Sequence, residues 1–202
     1  MYESEYFDKF QWNDYYFLNT AILKNFLKLP YGTHLLDVGC GKGLHVKGWK
    51  MNDISAIGID LYYKGEGVKE GTVLNIPFPD KCFDVVTCMD VVEHINYADL
   101  DKAISELRRV CKKFLIIQTC FKDEEHHKEL FDKDNTHIIW ETKQWWLDKL
   151  NTVEYGYLMK PFEYRLGGVI FKFPHVDQVI ITTAIKQKEG GQDVKQNIRE
   201  VL

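Results

Sequence analysis

Two short stretches of the 202-residue chain gather residue types that do chemistry. In "LLDVGCGKG", Leu35 to Gly43, Asp37 stands two residues before the first of three alternate glycines, Gly39, Gly41 and Gly43. A glycine turn after a strand lets a ligand lie against bare backbone. In "DVVEHI", a helix would carry Asp90, Glu93 and His94 at i, i+3 and i+4, on one face. Two carboxylates and an imidazole are reasonable ligands for a divalent ion such as magnesium, manganese or zinc. His94 is also the leading candidate for a general base, with His137 of "DNTHIIW" second.

The glycine spacing narrows the ligand. A dinucleotide turn reads G-x-G-x-x-G and seats a pyrophosphate on a helix N-terminus. Here the pattern is G-x-G-x-G, and the Asp37 carboxylate would repel a pyrophosphate. Lys42 is followed by Gly43 and Leu44, so the G-K-[ST] of a triphosphate loop is absent. An acid beside a bare-backbone turn suits a ligand with a positive centre and an amino group. S-adenosylmethionine is one.

Buried strands alternating with helices must position these residues. "HLLDVG", "SAIGID" from Ser55, "FDVVTCM" from Phe83 and "KFLIIQT" from Lys113 read as strands, and "QVIITTAIK" from Gln178 as another near the end. "NTAILKNFLK" from Asn19, with an Asn/Thr cap, "DLDKAISELRRVC" and "TKQWWLDKL" read as helices. Such alternation implies an α/β fold with a doubly wound, mainly parallel sheet. A chain of this length is expected to form one domain, with a helical cap over residues 1–30, a core over 31–187 and a polar tail over 188–202.

Hydrophobic residues make up 45% and charged residues 28%, ordinary for a globular protein, and no apolar run approaches the ~18–20 residues that span a bilayer. "MYESEYFDKF" lacks the basic and apolar regions of a signal peptide, so a cytoplasmic protein is expected. Cys40, Cys82, Cys88, Cys111 and Cys120 are odd in number and never spaced C-x-x-C. Reduced thiols are expected, rather than a disulfide framework or a zinc knuckle. A net charge of −4 gives no electrostatic reason to expect nucleic acid.

From about His34 to Ile95 the chain resembles the class I S-adenosylmethionine-dependent methyltransferases, especially their small-molecule group. "LLDVGCGKG" looks like the first motif, "GID" like the second-strand acid, and "NIPFPDKCFDVVTCMDVVEHI" like the recurring L-P-F, F-D and E-H pattern. The resemblance implies a seven-stranded Rossmann-like sheet. It also implies that Asp37, Gly39, Cys40, Gly41 and Gly43 hold the methionine portion of the cofactor. Asp60, with Leu61 beside it, would take the ribose hydroxyls. Val73 and Leu74 would line the adenine, and Cys88 and Met89 would face the methionine.

Two departures follow. Thr72 stands where members carry an acid toward the adenine amine, so Thr72, Val73 or Asn75 takes that contact. Only eleven residues separate Asp60 from Thr72, too few for a full crossover and strand. A loop or single turn with a stunted third strand is expected, placing Tyr62 near the ribose or adenine. "DVVEHI" further resembles the E-x-x-E-H motif of metal-assisted O-methyltransferases. There a later histidine, matched by His137, joins Asp90, Glu93 and His94 around the ion.

The aromatic segments "MYESEYFDKFQWNDYYF" and "EYGYLMKPFEYRLGGVIFKF" are expected to form a lid and a hairpin over a small acceptor. No acid or asparagine precedes Pro-Pro-aromatic after the fourth strand, and no Pro-Cys dipeptide occurs, so the DNA-methylating readings fall away. The expected function is methyl transfer to a small molecule, at oxygen. The alternatives are a metal-assisted RNA 2′-O-methyltransferase and a catalytically silent cofactor-binding scaffold.

Overall fold

Leu35 and Leu36 are neighbours on one strand, yet they lie in different hydrophobic cores. That alternation, with both residues fully buried, marks a sheet covered on both faces. The computed structural model describes residues 13–124, 128 and 131–150, with the strand segments Tyr157–Leu158, Phe162–Leu166, Val169–Phe173 and Val179–Thr183. The expected tail over 188–202 and the first twelve residues, including most of the aromatic N-terminal segment, lie outside the described residues.

In chain order the elements are α1 (Asn13–Phe26), β1 (His34–Val38), α2 (Leu44–Met51), β2 (Ser55–Asp60), β3 (Val68–Glu70) and β4 (Phe83–Met89). Two 3₁₀ turns, Val92–His94 and Tyr97–Asp99, lead into α3 (Leu100–Val110) and β5 (Cys111–Gln118). Then come α4 (Lys143–Lys149), β6 (Tyr157–Leu158), β7 (Phe162–Leu166), β8 (Val169–Phe173) and β9 (Val179–Thr183).

The sheet order is β3-β2-β1-β4-β5-β9-β6. This is a Rossmann-like α/β fold: of the seven strands in the sheet, five, β1 to β5, run parallel. Past β5 the backbone reverses: β9 pairs antiparallel with β5, and the two-residue β6 pairs antiparallel with β9. β7 and β8 leave the sheet to form a separate antiparallel hairpin, in the region expected to hold one. Its side chains lie outside the described residues, so the proposed aromatic lining is not described.

α1 and α2 cover the core holding Leu35, Val46, Trp49 and Ile116. α3 and α4 cover the one holding Leu36, Leu107, Leu115 and Trp146. On α3, Leu100, Ala103, Ile104, Leu107 and Val110 form one buried stripe at three- and four-residue steps. The expected Asn/Thr cap at Asn19 is wrong, because α1 begins at Asn13 and carries Thr20 inside it. Thr20 is buried and its hydroxyl accepts from the Asn52 amide at 3.1 Å, while Lys24 donates to the Asn52 carbonyl at 2.6 Å. Tertiary contacts, not a cap, hold that residue.

The third strand is stunted as expected, with three residues. The chain winds outward from β1 to β3, then crosses back to β4 and β5. The crossing point lies between β1 and β4, and ligands of open α/β sheets bind outside the carboxyl ends of the strands at such a point. All five cysteines are free thiols and all but Cys82 are buried. Among the described residues no helix is long and apolar enough to cross a membrane.

Candidate active site

Asp37 of β1 and Thr87 of β4 are register partners across the crossing point. Parallel partners share a face, so their side chains meet, and the Thr87 hydroxyl donates to Asp37 Oδ1 at 2.7 Å. Asp37 is 1% exposed, and its Oδ2 has no hydrogen-bond partner. Burial pushes its carboxyl up to about 7, with the Thr87 bond pulling back and the Asp60 charge adding to the rise. A buried acceptor of this kind calls for a partner.

The glycine turn leaves β1 through positive φ at Gly39 (74°), Gly41 (51°) and Gly43 (73°). At Gly39 two constraints coincide, since a Cβ there would also lie 2.3 Å from Val91 Cγ2. That contact ties the turn to the segment after β4. The Gly39 and Cys40 amides donate to the Ile59 carbonyl at 2.8 and 3.1 Å, which docks the turn on the end of β2. Cys40 itself is buried in the core with Val46 and Trp49.

Asp60, at the end of β2, accepts from the Gly41 amide at 2.9 Å on Oδ2, and from the Tyr62 and Tyr63 amides at 2.8 Å each on Oδ1. An ionised carboxylate has about four lone-pair positions, so three backbone donors leave room for about one more hydrogen bond. Asp60 thus fixes the loop that follows it as well as the glycine turn. Leu61 and Tyr62 lie on the exposed rim beyond it.

Thr72 closes a tight turn, its hydroxyl accepting from the Leu74 amide at 3.2 Å and its carbonyl from the Asn75 amide at 3.1 Å. Val73 is buried in the core, Leu74 packs against that core, and Asn75 is exposed. Arg109 of α3 holds the next residues. Its guanidinium donates to the carbonyls of Ile76 and Phe78 at 2.9 and 2.8 Å and pairs with Asp80 and Glu106. Glu106 in turn accepts from the Ile76 amide at 2.9 Å, and the Arg109 hydrogen bond holds its carboxyl down at about 2.

Cys88 and Met89 are both buried at the end of β4. Directly after them the expected helix does not form. Asp90 adopts φ 54°, in the left-handed region, and only Val92–His94 form a 3₁₀ turn. The Asp90 amide donates to the Gln118 carbonyl, and the Gln118 side-chain amide donates to both Asp90 carboxylate oxygens at 3.1 and 3.0 Å. Asp90 is therefore not part of the cluster it was expected to complete.

The cluster that does form is Glu93, His94 and His137, each offering one ligand atom within 4.8 Å of the others. The backbone builds it: the Glu93 carbonyl accepts from the Ile138 and Ile139 amides at 2.7 and 2.9 Å, so the segment after β5 lies across the 3₁₀ turn. The two imidazoles stand 4.6 Å apart between ring centroids. His94 Nδ1 is 2.9 Å from the Thr136 hydroxyl, and Thr136 is held by Asp134 Oδ1. His137 Nδ1 is 3.2 Å from the Phe131 carbonyl, and its ring stacks on Phe131. Burial, aided by the neighbouring His137, lowers His94 to about 4, and burial lowers His137 too. Glu93 is 0% exposed, and burial and the Asp90 charge raise its carboxyl well above the usual range, partly offset by Thr119.

Asp134, Thr136 and Phe131 were not singled out from the sequence. An Asp-x-Thr next to a flagged histidine is their one signal, an Asx-type turn in which Asp134 also accepts from the Thr136 amide at 2.9 Å.

Residues 36–116, from β1 into β5, match the methyltransferase domain family model. An uncharacterised protein of Methanocaldococcus jannaschii is 36% identical over 107 residues, covering 48% of this chain and 45% of that protein. A sterol 24-C-methyltransferase of Gibberella zeae is 32% identical over 98 residues, covering 40% and 25%. The chain spans less than half the length of these curated relatives. A crystal structure of an S-adenosylmethionine-dependent methyltransferase from Archaeoglobus fulgidus superposes with a TM-score of 0.65 at 18% identity, covering 91% of this chain and all of that one. The family match, the strand order and the glycine turn agree: residues 36–116 are similar to a methyltransferase domain, and the chain shares the fold of an S-adenosylmethionine-dependent methyltransferase.

Proposed function

We propose that the protein transfers the methyl group of S-adenosylmethionine to an oxygen of a small molecule. The observation that carries the cofactor half is Asp37, buried at the crossing point with one oxygen bonded to Thr87 and the other unpartnered. A cationic ammonium or sulfonium group fits that oxygen, and the Gly39–Gly43 backbone offers the close approach that the methionine portion needs. Asp60 and the loop from Leu61 to Tyr63 suit the ribose side. The Thr72–Phe78 segment, clamped by Arg109 and Glu106, suits the adenine.

Bound there, the cofactor supplies an already activated methyl group. The chain's task is to align an acceptor behind it and keep water out. His94 stands on the segment after β4 that Val91 joins to Gly39, and His137 packs beside it from the segment after β5. An imidazole lowered to about 4 captures a hydroxyl proton poorly at neutral pH, so the pair suits holding the acceptor's donor atom better than acting as a bulk base. The net charge of −4 favours a small acceptor over RNA.

Calorimetry with S-adenosylhomocysteine tests the reading, with NADH and ATP as controls. Saturable binding of the first alone is expected. Turnover against hydroxylated metabolites, compared with a single-stranded RNA panel, tests the acceptor class. Methylation confined to RNA would overturn it.

A further inference from the structure

We propose that Asp90 and Gln118 form a subsite for a primary ammonium group, so that the acceptor is a small hydroxyl compound that also carries an amine. The proposal deepens the methyl-transfer reading above and rests on it. Position is the first argument. Asp90 directly follows β4, and its neighbour Val91 packs where a Gly39 Cβ would fall. A group held at Asp90 therefore lies beside the turn that suits the methionine portion of the cofactor.

The second argument is the set of polar atoms. Asp90 is exposed, and Gln118 Nε2 is the one side-chain donor among the described residues that reaches its carboxylate, at 3.1 and 3.0 Å. Gln118 itself is 4% exposed, and its Oε1 is buried without a partner. A buried acceptor left in that state calls for a donor. Two carboxylate oxygens and one amide oxygen thus stand together, all acceptors. An ammonium brings three donors and a positive charge. The terminal torsion of glutamine is soft, so Oε1 can turn to the bound nitrogen.

The backbone fixes the carboxylate. Asp90 sits at φ 54°, and its amide donates to the Gln118 carbonyl at 3.1 Å, so the two residues are joined through both main chain and side chain. This attachment has a chemical consequence. A nitrogen held by a carboxylate stays protonated, and an ammonium has no lone pair with which to attack a methyl group. The hydroxyl oxygen is left as nucleophile. It bonds to the methyl carbon as the carbon–sulfur bond breaks, the electron pair passes to sulfur, and the hydroxyl proton passes to solvent.

The test uses the full chain saturated with S-adenosylhomocysteine, which fills the cofactor's own ammonium position, with chelator present to exclude metal bridging. Neutral pH keeps an alkylamine protonated. Tyramine and ethanolamine are titrated against para-ethylphenol and propanol, which lack the ammonium, following the Asp90 and Gln118 amide signals by NMR. Saturable shifts at both residues are expected with at least one amine, at least tenfold tighter than with its counterpart. Asp90→Asn is expected to remove that preference and Gln118→Leu to reduce it. Melting temperature and S-adenosylhomocysteine affinity show whether each variant is folded. No saturable shift with either amine, or no preference over the counterparts, would overturn the proposal. So would a preference kept by a folded Asp90→Asn chain. Isotope-labelled S-adenosylmethionine then locates the methyl group, and transfer to the amine nitrogen would overturn the proposal too. Amines bound without preference, with methyl on the para-ethylphenol oxygen, overturn the subsite and leave the oxygen reading standing. An amine preference with methylation confined to RNA does the reverse.

Discussion

The Thr87 hydroxyl donates to Asp37 Oδ1 at 2.7 Å while Asp37 Oδ2, equally buried, has no partner. This half-satisfied carboxyl has a pH consequence with a definite sign. Its folded value is raised from 3.8 to about 7, so the folded state binds the proton more tightly than the unfolded chain. Its contribution therefore favours folding at low pH and is lost as pH rises from about 4 to about 7, a penalty of order 4 kcal/mol above that range. Asp37→Asn removes the ionisation. Its melting temperature should gain on that of the parent as pH rises from 4 to 7, while S-adenosylhomocysteine affinity falls tenfold or more. Calorimetric melts at pH 4.5 and 8, with binding at pH 8, check both.

Gly39→Ala should be among the most damaging single-methyl changes in the chain. The residue sits at φ 74°, and its new Cβ would lie 2.3 Å from Val91 Cγ2. Left-handed strain costs about 1–3 kcal/mol, with the overlap in addition. Adding Val91→Ala should recover the overlap but not the strain. Urea unfolding of the single and double variants separates the two.

Asp60→Ala should act on the backbone as well as on the cofactor. It removes the acceptor of the Gly41, Tyr62 and Tyr63 amides together. Faster hydrogen exchange at those three amides and at least tenfold weaker S-adenosylhomocysteine binding are expected, since bonds to charged acceptors contribute about 1.5–3 kcal/mol each. Unchanged exchange in the folded variant would place the carboxylate elsewhere.

Arg109→Ala should loosen the segment from Ile76 to Asp80, whose carbonyls it holds, and leave the glycine turn intact. Hydrogen exchange is expected to rise over residues 76–80 and not over 39–43. S-adenosylhomocysteine affinity should fall by a few-fold, an order-of-magnitude loss being more than one indirect anchor supplies.

The parts of this architecture written in local pattern were legible. β1, β2 and β4 appear where their apolar runs lie, and the stunted β3 follows from the short spacing between Asp60 and Thr72. What failed was decided by contacts distant in sequence. Asn19 and Thr20 look like a cap, but Thr20 is held by Asn52, and α1 starts six residues earlier than Asn19. "DVVEHI" has helical spacing, yet Asp90 is drawn to Gln118, twenty-eight residues on, and turns left-handed there. That displaced Asp90 from the Glu93–His94–His137 group. Arg109 and Glu106 read as an ordinary i, i+3 pair on a helix, and only the fold turns them onto the Ile76–Phe78 backbone.

β1 sets one further condition on this chain. Leu35 belongs to the core under α1 and α2, Leu36 to the core under α3 and α4, and Asp37 shares its face with Thr87. Replacing one of these side chains alters one contact. Adding or deleting a residue before Asp37 inverts the facing of every residue after it, exchanging the leucines between cores and carrying the carboxylate away from Thr87. Length, more than composition, is the property of β1 that descent must preserve. Insertions belong in the loops beyond the strand ends.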